Sequence, residues 1–112
     1  MSDAVVVLVT VATREDGERL AAALVDERLA ACVNVVGPIQ SIYRWEGAVH
    51  HDQELLLMIK TRASLFAALE QRVRALHSYQ TPEVIALSIT AGSEPYLEWL
   101  RGQTGPTGAS GK

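Results

Sequence analysis

From Ala4 to Ala12 the chain reads AVVVLVTVA, apolar at nearly every position and rich in β-branched residues, which predicts a strand buried on both faces. The period then changes to that of a helix. Thr13 stands as its N-cap with Asp16 at capping-box spacing. Leu20, Ala21, Leu24 and Val25 form the apolar stripe, and Glu18, Arg19, Asp26 and Glu27 the wet face. A second strand starts in ACVNVVG, is kinked or bulged at Gly37-Pro38, and resumes from Ile39 to Trp45. Glu46-Gly47 turns the chain into a third strand, Ala48 to Thr61. A second helix is expected from Thr61, with Leu65, Leu69, Val73 and Leu76 on one face. HSYQTPE is a loop, because Pro82 disfavours helix at Thr81. Val84 to Thr90 is a fourth strand, and Gly92-Ser93 opens a last helix that stops at Gly102. The Gly/Ser/Thr-rich end, 103–112, is expected to be a flexible tail, leaving one domain over 1–102.

The order β-α-β-β-α-β plus a terminal helix is an α+β, ferredoxin-like split-βαβ pattern with an antiparallel sheet and both main helices on one face. The strands conflict with that picture. An antiparallel sheet with one wet face alternates apolar and polar residues, yet Val5 to Val9 and Leu55 to Ile59 are apolar throughout. The helices cover one face, and no remaining segment is large enough for the other. A second copy of the same sheet is the simplest cover. Length agrees. A straight strand from Ala48 to Thr61 spans roughly 45 Å at ~3.3 Å per residue, against a radius of gyration of ~13 Å for a domain of this size. The hairpin must bend or project, and a projecting arm needs its edges covered. Tyr43 and Trp45 share one strand face and suit a buried contact between subunits better than a private core.

Charge and composition narrow the classes. Ten basic and thirteen acidic residues give a net charge of −3, without the basic excess that nucleic-acid binding needs. Cys32 is the only cysteine of the 112 residues, so no intrachain disulfide forms and a reducing cytoplasm fits best. The start MSDAVVVLVT lacks a basic leader region and a small-residue cleavage site, and no apolar run approaches the ~20 residues of a membrane span.

Several separated motifs then point one way. LAACVNVVGPIQSIYRWEGAVHHDQELLLMIKT, followed by HSYQTPEVIALSI and YLEWL, resembles the CutA divalent-cation tolerance family over about residues 4–101. The resemblance implies a ferredoxin-like homotrimer associated with divalent-metal tolerance and copper binding, with no enzymatic activity and no cofactor required for folding. It also implies that His77 is a copper ligand. Some members carry a cysteine and a second histidine where this chain has Val9 and Leu76, and the usual proline is Ser78 here.

The residues themselves supply the candidates. His77, at the end of the second helix beside a Pro-containing loop, is the first metal candidate, against the ordinary reading of a histidine favouring the helix dipole. Cys32 offers a thiolate suited to Cu(I) or Zn(II), against a small buried apolar residue. His50, Asp52 and Glu54 alternate on one face and could hold a divalent ion, against plain solvation. Glu54 abuts the apolar run and needs a partner, which Lys60 or Arg44 of a neighbouring strand or subunit could be. Tyr79, Glu83 and Lys60 are candidates to line a cleft between subunits with Tyr43 and Trp45. The alternative to metal binding is a trimeric signalling module that takes a small metabolite or nucleotide at those clefts. An acylphosphatase-like hydrolase comes last, because Glu15 and Asp16 beside Arg14 would repel phosphate.

Overall fold

The structure, a computed structural model, describes residues 3–106. Its elements are β1 (Ala4–Val11), α1 (Arg14–Asp26), β2 (Cys32–Trp45), β3 (Ala48–Arg62), a single 3-10 turn (Ala63–Leu65), α2 (Phe66–Leu76), β4 (Ile85–Ser88) and α3 (Glu94–Gly102). The four strands form one antiparallel sheet in the order β2-β3-β1-β4, the ferredoxin-like arrangement. Thr13 caps α1 by accepting from the Asp16 N–H at 3.0 Å. The Asp16 carboxylate turns to Arg19 rather than back to the cap. Glu46 and Gly47 both have positive φ, which suits the tight turn between β2 and β3. The register shifts between Val36 and Ile39, where Gly37 and Pro38 interrupt the ladder.

The core lies on one face. Val5, Val7, Val9 and Val11 of β1 and Leu55, Leu57 and Ile59 of β3 meet Leu20 and Leu24 of α1 and Leu69 and Val73 of α2. Gly17 lets α1 sit close to the sheet, since a Cβ there would lie 3.1 Å from Val11 and 3.3 Å from Leu57. Val25 does not join the stripe and is exposed. The second helix begins later than its sequence predicts. Thr61 stays in β3, is completely buried, and donates its hydroxyl to the Leu29 carbonyl at 2.7 Å. That bond and the ladder to β1 outweigh a helix start there.

The opposite face carries Val6, Leu8, Met58 and Leu56 by alternation along the paired strands. One end of it is covered, contrary to expectation: Leu97 and Leu100 of α3 pack on Ala4 and Ala31. The rest has no cover among the described residues, and Ile85 and Leu87 of β4 are exposed beside it. The β2–β3 hairpin projects as expected. The molecule measures 51 × 26 × 21 Å, with a radius of gyration of 14.8 Å.

The first residues of the tail expected from Gln103 are instead held against the domain. Thr104 is buried and bonds Leu100 and Arg101. Arg62 reaches Thr104, and Arg28 donates to the carbonyls of Gly102 and Gly105 at 2.9 and 2.7 Å. This latch holds α3 against the sheet. Residues 107–112 of the expected tail lie outside the described residues.

Candidate functional site

β1 ends at Val11 beside the loop that follows α2, joined to it through His77 and Thr10, and the projecting half of the hairpin runs next to both. These three pieces enclose a groove of about 550 Å³. Thr10 supplies its floor; Ser41, Ile42, Tyr43 and Trp45 of β2 and Glu54 of β3 supply one wall; Tyr79, Gln80, Thr81 and Glu83 supply the other. Glu54 shares the open sheet face with Leu56 and Met58 by alternation, so the groove continues the uncovered apolar surface.

His77 builds the floor rather than facing the groove. The Tyr79 N–H donates to its Nδ1 at 3.0 Å, so its Nε2 carries the proton and donates to the Thr10 carbonyl at 2.7 Å. Both ring nitrogens are engaged. A metal ion could take one only by breaking a backbone bond. The bonds hold the Tyr79 ring tilted on the imidazole, 4.6 Å between centroids.

Tyr79 then delivers its hydroxyl to Glu54 at 2.5 Å. Glu54 is only 8% exposed. Burial first, and the bond to Glu54 second, hold the Tyr79 phenol far above its usual value of about 10. The folded state therefore prefers the neutral phenol. Its stabilisation is complete below pH ~10 and is lost as pH rises through the higher folded value. In an alkaline absorbance titration the last tyrosine to ionise is expected to be Tyr79, and Tyr79→Phe is expected to delete that step. A last step that survives the substitution would remove the assignment. Tyr43, nearby, donates to Asp52 and stacks on His50 at 5.4 Å; the Asp52 bond raises its phenol.

The remaining candidates are scattered. Lys60 bonds Asn34 and pairs in register with Cys32 and Val6. It lies six residues from Glu54 along β3, roughly 20 Å at ~3.3 Å per residue, so it lines no part of the groove and cannot neutralise Glu54 in its own chain. Arg44 makes no ion pair to it either. Cys32 is half-buried at the far end of the sheet, its Sγ 3.9 Å from Asn34 Oδ1. Val6, level with Lys60, is four residues from Thr10, so Cys32 and His77 stand roughly 13 Å or more apart. One chain cannot bring these two donors to one ion. His50, Asp52 and Glu54 do not form a metal cluster either, and among the described residues no three His, Cys, Asp or Glu do. Val9 belongs to the core and Leu76 packs against it, half-buried, so neither position adds a metal donor.

Sequence reasoning named Tyr79 and Glu54 separately and missed their bond, along with Thr10, Ser41, Gln80 and Thr81. The signal for the last two was the Pro-containing loop itself. Thr10 had none, being one more residue of an apolar strand.

The comparisons with known proteins agree with this architecture. A sequence model of the CutA1 divalent ion tolerance protein family matches residues 5–103. The divalent-cation tolerance protein CutA of Thermus thermophilus is 55% identical over 100 residues, covering 89% of this chain and 97% of that protein. A chloroplastic CutA of Arabidopsis thaliana is 57% identical over 100 residues, and there the chain spans just over half, 55%, of the relative's length. The solved structure of the Thermus protein superimposes with a TM-score of 0.89 at 54% identity, over 91% of this chain and 99% of that one. CutA1 from Oryza sativa gives 0.88 at 54% identity, over 90% and 93%. With the sequence matched almost end to end and the same strand order, this chain belongs to the CutA1 divalent ion tolerance family.

Proposed function

We propose that the protein is a homotrimer that serves in tolerance to divalent metal ions, copper first among them, by binding the ion and without catalysis. Membership of a family named for divalent-cation tolerance supports the role. The assembly rests on one observation: the apolar face of Val6, Leu8 and Met58 that the described residues leave uncovered. A self-complementary sheet and a projecting hairpin suit closed assembly of copies. Since His77 and Cys32 do not meet within one chain, a bound ion draws donors from more than one copy, and His77 gives up a backbone bond to take part. Among the described residues no helix is long and apolar enough to cross a membrane. The single cysteine supports a reducing cytoplasm as the site of action.

Native mass spectrometry of metal-stripped protein, alone and with about one equivalent of Cu(II) per chain, tests this. The expected result is a trimer that takes up a fixed number of ions, with uptake reduced by His77→Ala. A trimer that takes up none would remove copper binding and leave the assembly. A monomer would remove the assembly.

The groove favours a second reading. A cleft of about 550 Å³ with aromatic walls and buried polar groups has the size and lining of a small-molecule site. In this reading the trimer is a signalling module whose ligand sits where the groove meets the neighbouring subunit.

A further inference from the structure

Glu54 is a carboxylate nine-tenths buried, and its one hydrogen bond comes from Tyr79. Among the described residues no Lys, Arg or His lies within ion-pair distance of it. Buried carboxylates are ordinarily paired with a cation, because desolvating a charge is costly and only an opposite charge or several donors offset it. Here the place for that cation is open groove.

The walls define the kind of cation. No Lys, Arg or His side chain lines the groove, while a second carboxylate, Glu83, stands on its rim. A nucleotide or other phosphate would meet two carboxylates and no basic group, so anionic ligands are disfavoured. A bare metal ion would find too few donors, since no three metal-binding side chains converge. What the cleft offers instead is Tyr43 and Tyr79 beside a negative pole, with Trp45 farther out along the groove. Aromatic faces and a carboxylate are the combination that holds an alkylammonium or other organic cation, by charge at one end and by ring contact along its apolar body.

We infer that the groove between the projecting half of the hairpin and the Tyr79–Glu83 loop binds a small organic cation, with Glu54 as its counter-charge and Tyr43, whose hydroxyl reaches Asp52 two residues from Glu54, as its aromatic wall. This names the ligand class for the groove and rests on the reading of the groove as a ligand site. Tyr79 is a positioning residue: its bond to Glu54 aims the carboxylate, and His77 aims Tyr79 in turn.

Isothermal titration of the full chain in chelator-containing buffer tests it, using benzylammonium, neutral benzyl alcohol, benzoate and ATP as probes. Benzylammonium is expected to bind saturably, with benzyl alcohol weaker by about tenfold or more, the scale of a charged hydrogen bond. Glu54→Gln keeps the shape and the Tyr79 contact and is expected to cost benzylammonium a similar factor. If that variant fails to fold, Tyr43→Ala on the exposed face of the hairpin is expected to weaken the same probe severalfold. Equal binding of the amine and the alcohol, or an unchanged affinity in Glu54→Gln, would overturn the assignment. Binding of benzoate or ATP instead would leave the groove a ligand site of the wrong class. Failure of every probe would remove both the class and the ligand-site reading, as expected if a neighbouring subunit's own side chain fills the groove.

Discussion

Leu8→Asp is expected to dissociate the protein into monomers. Leu8 sits on β1 between Met58 of β3 and Ile85 of β4, at the middle of the uncovered face. In the proposed trimer that face is an interface, so each copy would bury a charge without a partner. The effective cost of such a charge is several kcal/mol, and it recurs in every copy. Sedimentation velocity reads the outcome directly. In the isolated chain the same position is only half-buried, so the monomer is expected to retain its helix and sheet content. An oligomer that persists in Leu8→Asp would place the interface elsewhere and leave the two-sided apolar strands without a function.

Leu57→Ala is the second large effect. Leu57 is wholly buried on the helix face, between Val9 of β1 and Val35 of β2. Deleting its side chain removes apolar contacts and leaves a hole beneath Gly17, where the helix already lies against the sheet and cannot close in further. The expected loss is about 2–5 kcal/mol. For a domain near 100 residues each kcal/mol shifts the midpoint by ~4–8 °C, so a fall of roughly 10 °C or more is expected in a thermal melt. The comparison must hold chain concentration constant, because assembly adds to apparent stability by mass action. A shift below about 3 °C, well under that range, would mean that the hairpin strand contributes little to the core. The two variants separate two kinds of stability: Leu57 acts within the chain, Leu8 between chains.

The element order was legible because it depends on local signals. Thr13 and Ser93 announce caps, and both caps form. Gly37-Pro38 announces an interruption, and the register shifts there. Where local and tertiary preferences competed, the tertiary one won. Thr61 carries a good N-cap side chain, but its hydroxyl is used inside the sheet. Val25 fits the helical period but is exposed at the edge of the stripe, while Leu20 and Leu24 are buried. The composition of 103–112 suggests a tail, yet Thr104 is buried because two arginines distant in sequence clasp that segment.

By itself, then, the sequence determined the β-α-β-β-α-β order, the long hairpin, the family and strands that are apolar on both faces. Those follow from periodicity, capping and unbroken apolar runs, all readable within a few residues. Only the tertiary structure decided the site. Glu54 and Tyr79 are 25 residues apart, and His77 and Thr10 are 67 apart. No spacing rule links them, because strand register and a loop's path set such distances. The same geometry parts Cys32 from His77 by most of the sheet, and leaves a buried carboxylate facing an open groove.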